Sequence, residues 1–177
     1  MSKAFTRESD DLPERFEPRP SFSLPPGAKN YLTPDGAMRL RAELEQLAQV
    51  ERPRLAATRS DNEAQQRLQA LDQRIYQLQQ SLRSAEVVAP PAGPPDRVRF
   101  GTTVATRERD SQEMCYRLVG VDETDPDRGW ISWLSPIARA LLNAQVGQRV
   151  RLKLPSGEKE LEVLRISYEP NAPVSDG

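Results

Sequence analysis

Two stretches of this chain differ in the period of their hydrophobic residues. Between residues 37 and 85 the apolar positions recur at alternating spacings of four and three, which predicts amphipathic helices packed along a coiled-coil seam. Beyond residue 97 short apolar runs alternate with polar residues, which predicts strands. The proline-rich stretch from Ala89 to Pro95 separates the two patterns and predicts a linker.

The helical stretch predicts two arms that fold back on each other about a turn near Asp61. The residue numbers of Leu40 and Leu82 add to 122, as do those of Leu44 and Leu78, and a constant sum is what antiparallel pairing requires. The predicted seam positions are Ala37, Leu40, Leu44 and Leu47 in the first arm and Ala64, Leu68, Leu71, Ile75, Leu78, Leu82 and Ala85 in the second.

The first arm carries a start signal and an interruption. Thr33-Pro34-Asp35 predicts a helix start, because threonine is a good N-cap and proline is tolerated at the first helical position. Pro53 removes one backbone hydrogen bond, so we expect a kink near Gln49 to Glu51. Further out the seam falls on polar residues, and we expect the outer half of the hairpin to pack less tightly. These polar residues are Glu51, Arg54 and Thr58.

The second pattern predicts five short strands, at residues 98–104, 115–119, 129–133, 150–154 and 161–168. Pro155-Ser156-Gly157-Glu158 predicts a tight turn between the last two strands. The apolar phase slips between Val163 and Leu164, where we expect a bulge. Ser135-Pro136 repeats the cap-plus-proline signal and predicts a short helix from Pro136 to Leu142.

The predicted fold class is therefore α+β: an N-terminal antiparallel coiled-coil hairpin followed by a small antiparallel β domain with one short helix. The predicted order along the chain is a disordered extension at 1–30, the hairpin at 31–88, a linker at 89–96, the β domain at 97–169 and a disordered tail at 170–177.

Composition narrows the function. The net charge of −1 and pI of about 5.7 argue against a protein that holds nucleic acid by bulk electrostatics, so a protein partner is expected. The chain has no histidine and one cysteine, Cys115, which excludes Ser-His and Cys-His nucleophilic mechanisms and His- or Cys-rich zinc sites. A single cysteine and the absence of a long apolar run fit a cytoplasmic protein without a membrane segment.

Two side-chain clusters in the β domain have competing interpretations. The acidic loop with Asp122, Glu123, Asp125 and Asp127 lacks the ligand spacing of a calcium loop, so we expect a solvated acidic turn. Four aromatic side chains could form a binding face, but in a small sheet we expect them to belong to the core. These are Phe100, Tyr116, Trp130 and Trp133.

The predicted hairpin turn carries Asp61 and Glu63. Two carboxylates at the end of a projecting rod can share a divalent metal with a partner's active site. Alternatively, Asp61 or Asn62 caps the second arm and Glu63 favours its first turn through the helix dipole. The residues by themselves favour the capping role.

Several motifs together resemble the Gre family, the bacterial transcript cleavage factors GreA and GreB. The most specific is the run Ser135-Pro136-Ile137-Ala138-Arg139-Ala140-Leu141-Leu142, and the resemblance extends over about Asn30 to Tyr168. The other matching motifs are Tyr31-Leu32-Thr33-Pro34-Asp35-Gly36, Glu51-Arg52-Pro53, Phe100-Gly101, Tyr116-Arg117-Leu118-Val119-Gly120, Asp122-Glu123, Ile131-Ser132, Pro155-Ser156-Gly157-Glu158 and Ile166-Ser167-Tyr168.

The resemblance implies an FKBP-like C-terminal domain that docks on bacterial RNA polymerase, with the coiled coil inserted into the secondary channel. It implies docking through Ser135, Pro136, Ile137, Ala138 and Arg139, and a role for Asp61 and Glu63 in sharing the polymerase's magnesium. The protein would then be an accessory factor and not an enzyme. It would have no cofactor of its own, would contact nascent RNA only indirectly, and would be a monomer.

The chain departs from the family pattern at the tip, where it lacks about six residues per arm, or about 10 Å of helix. We therefore expect weak or no stimulation of transcript cleavage, with occlusion of the channel or competition with other factors as the effect. Leu134 also replaces an expected polar residue beside the docking helix. The alternatives are a full cleavage stimulator acting through Asp61 and Glu63, a prolyl isomerase, and a coiled-coil adaptor or dimerisation protein unrelated to cleavage.

Overall fold

The structure is a computed structural model that describes residues 24–58, 62–109 and 113–168. The predicted tail at 170–177, and residues 1–23 of the predicted N-terminal extension, lie outside the described residues. Residues 24–30 are described, and Asn30, predicted to end the extension, is buried in a strand.

The N-terminal unit is built from helices that form two arms. The first arm contains helices α1 (Pro34–Gln46) and α2 (Arg52–Ala57), and the second is helix α3 (Asn62–Ser84). Ion pairs cross between the arms, from Arg74 to Glu43 at 2.7 Å and from Arg52 to Asp72 at 2.7 Å. Residues further along the first arm thus meet residues earlier in the second, as predicted for antiparallel arms.

The seam between the arms is better buried at the base than toward the tip. Its buried residues include Ala37, Leu40, Leu71 and Leu78, with Leu32 added from outside the predicted seam. Toward the tip no residue of α2 is buried, and Leu68 and Ala64 are only half-buried. The expected looser packing of the outer half is confirmed for these residues, whereas Leu71, opposite Glu51, is buried.

The interruption predicted ahead of Pro53 takes the form of a π-helical turn at Leu47–Glu51. The backbone N–H of Arg52 donates to the carbonyl of Leu47, five residues back instead of four. This wider turn accommodates a proline, which has no N–H and whose ring would crowd the carbonyl four residues before it.

A two-stranded parallel sheet closes the base of the hairpin. Strand β1 (Asn30–Leu32) precedes α1, strand β2 (Ala85–Val87) follows α3, and Leu32 pairs with Val87. The sequence pattern did not predict this sheet. Ala85, predicted as the last seam residue, lies in β2 but still packs against the hairpin core.

The C-terminal unit is a five-stranded sheet with strand order β5-β4-β3-β7-β6. The strands are β3 (Thr103–Glu108), β4 (Glu113–Val119), β5 (Trp130–Ser132), β6 (Arg149–Leu154) and β7 (Gly157–Ser167). The pair β4–β5 is parallel, so the sheet is mixed and the expectation of a purely antiparallel sheet was wrong. The return from β4 to β5 passes through turns at Val121–Glu123 and Pro126–Arg128, which bring the chain back to run alongside β4.

The local signals in this unit are confirmed, with two shifted strands, of which β7 begins four residues earlier than predicted, at Gly157. Pro155-Ser156 joins β6 to β7, and the β3–β7 register skips Leu164, which is the predicted bulge. Helix α4 (Pro136–Leu141) packs on the sheet core through Ala138 and Leu141. The strand predicted at 98–104 begins only at Thr103. Val98 is instead a fully buried loop residue whose backbone N–H donates a hydrogen bond to the Ala144 carbonyl.

Candidate functional site

The described part of the tip places Glu63 in the first turn of α3. Its carboxylate is exposed and pairs with Arg67 of the same helix at 2.5 Å. The glutamate precedes the arginine by one turn, the favourable order for such a pair. Asp61 lies outside the described residues. Within those residues, no three histidine, cysteine or carboxylate side chains are grouped so that they could hold a metal ion.

Helix α4 carries the residues assigned to docking by resemblance. The Ser135 hydroxyl accepts a hydrogen bond from the Ala138 N–H at 3.2 Å, so this serine caps the helix as predicted. Pro136 and Arg139 are exposed and Ile137 is partly buried. The Ala138 side chain is fully buried in the core, so a contact made by this helix would fall to the other residues.

The acidic loop differs from its prediction at one residue. Glu123 is buried, with only 1% of its side chain exposed, whereas a solvated acid was expected. Its carboxylate accepts hydrogen bonds from the N–H groups of Thr33 and Gly120, each at 2.9 Å, and from the Thr33 hydroxyl at 2.5 Å. Glu123 can be buried because donors from the protein replace the water molecules that its carboxylate loses.

Cationic side chains surround an indole beside this carboxylate. The Arg39 guanidinium lies 4.3 Å from the centre of the Trp130 ring, and those of Arg117 and Arg128 lie 5.2 Å from it. Burial lowers the pKa of Arg39, and the nearby Glu123 carboxylate opposes that shift. Trp130 is buried, as expected for a core aromatic, but it packs where the hairpin and the sheet unit meet.

Two of the other aromatics predicted for the core, Phe100 and Trp133, are only partly buried and contact the hairpin unit. Tyr31 of β1 lies 5.7 Å from Phe100 and 5.1 Å from Trp133, measured between ring centres. Tyr116 packs on the sheet core. A cleft of about 210 Å³ opens beside this junction, and most of the charged residues that line it pair with one another, for example Arg128 with Asp125.

Sequence reasoning missed the junction, although two signals for it were present. Gly120 precedes Glu123 by three residues, the spacing at which a glutamate reaches back to the N–H at a helix start. Gly36 occupies the first turn of α1, where glycine is unfavourable unless another group needs the space.

This architecture defines a class: a two-armed helical hairpin clamped at its base to a small mixed sheet that bears a capped helix. A family model for the transcription elongation factor GreA/GreB C-terminal region matches residues 93–168. GreB of Neisseria meningitidis is 38% identical over 154 residues, covering 79% of this chain and 94% of the relative. GreA of Alkalilimnicola ehrlichii is 36% identical over 156 residues, covering 80% and 99%.

Among solved structures, the prokaryotic transcription elongation factor GreA/GreB from Nitrosomonas europaea is 26% identical with a TM-score of 0.39, covering 80% of this chain and 99% of that chain. The identities to the curated relatives over nearly their full length place the chain in the family. The protein belongs to the GreA/GreB family of bacterial transcription elongation factors. None of its helices, within the ranges described, is long and apolar enough to cross a membrane.

Proposed function

We propose that this protein binds bacterial RNA polymerase, inserts its hairpin into the secondary channel, and stimulates transcript cleavage weakly or not at all. It acts as an accessory factor in the cytoplasm, as a monomer with no cofactor of its own. Its effect comes from occupying the channel and so limiting the access of other factors.

The reach of the hairpin carries this proposal. Helix α3 has 23 residues, which at about 1.5 Å each gives an arm of about 35 Å. Going by the resemblance, we infer that other members of the family have about six more residues per arm, or about 10 Å. Magnesium coordination operates at about 2.1 Å, so a carboxylate 10 Å short of the metal makes no contact with it.

The docking side of the proposal rests on α4. Its cap at Ser135 and its buried Ala138 hold the helix in one orientation on the sheet, and this leaves Pro136 and Arg139 facing outward. An exposed arginine on a rigid helix suits recognition of a carboxylate on a protein partner. Leu134 beside the cap is partly buried and is expected to modulate this contact without replacing it.

A transcript-cleavage assay on backtracked polymerase complexes tests the proposal. We expect the wild-type protein to raise the cleavage rate little above that of polymerase alone, and the variant D61A/E63A to behave as wild type. The control variant E45Q removes an exposed carboxylate from α1, away from the tip. Strong cleavage that disappears in D61A/E63A would instead establish a full cleavage stimulator.

A variant with a lengthened hairpin provides the matching gain-of-function test. Inserting one heptad in each arm keeps the seam in register and extends the rod by about 10 Å. We expect this variant to stimulate cleavage and to lose that stimulation when Asp61 and Glu63 are replaced by alanine. A lengthened protein that still fails to stimulate would show that reach is not what limits it.

A further inference from the structure

Glu123 binds the start of two helical segments that lie far apart in the chain. Within its own segment, its carboxylate accepts from the Gly120 N–H and closes the turn at Val121–Glu123. Across the junction, the same carboxylate accepts from the N–H and hydroxyl of Thr33, the N-cap of α1. In a capping box, the acceptor for the backbone N–H of the N-cap residue is a glutamate three residues into the same helix. Here a residue 90 positions away supplies it.

Two glycines leave room for this carboxylate. A Cβ placed on Gly36 of α1 would overlap the Glu123 side chain, and all three nearest atoms it meets belong to that residue. A Cβ on Gly120 would overlap the Tyr31 carbonyl and approach Glu123. The slot is therefore formed from both units at once, with one glycine on the hairpin and one on the sheet unit.

The contacts around the slot orient the hairpin on the sheet unit. Arg39 of α1 reaches the Glu123 carboxylate at 3.5 Å, and Arg117 of β4 reaches Asp35 of α1 at 3.5 Å. On the other arm, the Ser81 hydroxyl of α3 donates to Asp122. Contacts to both arms fix a direction, whereas one flexible contact would permit rotation.

We propose that Glu123 is a positioning residue that locks the hairpin at one angle to the sheet unit and so aims the tip while α4 holds the partner. This inference rests on the proposed function for its consequence at the polymerase, but the lock itself is a property of the free protein. Loss of the carboxylate loosens the hairpin, because the contacts that remain, of Arg117 with Asp35 and of Ser81 with Asp122, are made to exposed carboxylates. Neither unit unfolds, because each has its own hydrophobic core.

Distance measurement between two spin labels tests the lock in the free protein. The labels are placed at the exposed positions Gln66 and Lys153 as cysteines, in a background where Cys115 is serine. We expect a narrow distance distribution for wild type, a broad one for E123A and an intermediate one for E123Q, which keeps one acceptor oxygen. The matched control D127N removes an exposed acid from the same loop and is expected to keep the narrow distribution.

The loss of hydrogen bonds to a buried carboxylate is expected to increase the population with a released hairpin about tenfold or more. Amide hydrogen exchange in β3 and β7 of the same samples distinguishes release from unfolding, since protection there is expected to persist. Protection lost throughout E123A, together with a narrow distribution in E123Q, would overturn the proposal. Distributions in E123A and E123Q as narrow as wild type would overturn it as well.

The consequence at the polymerase is tested by measuring two quantities separately: the affinity of the protein for polymerase, and the crosslinking of the hairpin tip to it. A photocrosslinking residue at position 63 reports whether the tip reaches the polymerase at saturating protein. For E123A we expect affinity within about twofold of wild type, because α4 keeps its own cap and core contacts, but a crosslink yield reduced about tenfold. Equal losses of affinity and crosslinking would overturn the positioning role. Failure of the wild-type protein to bind polymerase would refute the proposed function. The spin-label distances would still show whether Glu123 fixes the angle of the hairpin in the free protein.

Discussion

The two ends of the hairpin use the same chemical group in opposite ways. At the tip, Glu63 is exposed and pairs with a neighbour on its own helix. At the base, Glu123 is buried and joins two units that are distant in sequence. An exposed ion pair is screened by water and contributes little to stability, whereas a buried carboxylate with several donors is costly to remove. The base is therefore built for rigidity, and the tip acid remains available to a partner.

The largest expected effect on stability is at the buried base of the seam, compared with the same substitution toward the tip. Replacing Leu78, which is 2% exposed, by alanine is expected to lower the free energy of unfolding by about 3 kcal/mol. The same change at the half-buried Leu68, toward the tip, is expected to cost about 1 kcal/mol. Urea denaturation of both variants measures the difference. Equal losses would mean that the outer half packs as tightly as the base.

A smaller effect concerns the glycine that faces Glu123. The variant G36A is expected to destabilise the protein by about 2 kcal/mol, because the new methyl group displaces the carboxylate. In an E123A background the same change is expected to become stabilising by up to about 1 kcal/mol, since alanine is the better helix former. Thermal denaturation of the two single variants and the double variant gives this coupling. Additive effects would contradict the slot described at the junction.

The smallest effect is expected at the tip. The variant E63Q removes the ion pair with Arg67 and is expected to change stability by only about 0.3 kcal/mol, a loss that decreases further in high salt. Urea denaturation at low and high salt checks this, with E45Q as the control for loss of a carboxylate elsewhere on the hairpin. A loss above about 1 kcal/mol would mean that Glu63 has structural partners beyond its own helix.

The elements predicted well are those specified by neighbouring residues. Thr33 and Ser135 cap their helices as expected, because a cap needs only the first turn that follows it. Pro53 marked the position of the interruption in the first arm, though not that it would be a π-helical turn. The bulge opposite Leu164 was visible as a slip in the apolar phase.

The candidate site was predicted only in part. Ser135 and Glu63 lie where the sequence placed them, at the start of α4 and in the first turn of α3. Ala138 was assigned to the docking surface, but it is buried in the core of the sheet unit. The burial of Glu123 was missed, because its neighbours Thr33 and Gly36 belong to another unit and a loop rich in acids is ordinarily solvated.

Periodicity and short motifs along the chain were enough to predict the two units, the antiparallel arms, the caps and turns, and the family. These depend on periodicity and on short-range hydrogen bonding, which a linear pattern records. Long-range folding set the pairing of β1 with β2, the parallel pair β4–β5 and the burial of Glu123 between the units. Each of these joins segments whose separation in the chain carries no periodic signal, and each depends on which donors and acceptors meet once the cores have formed.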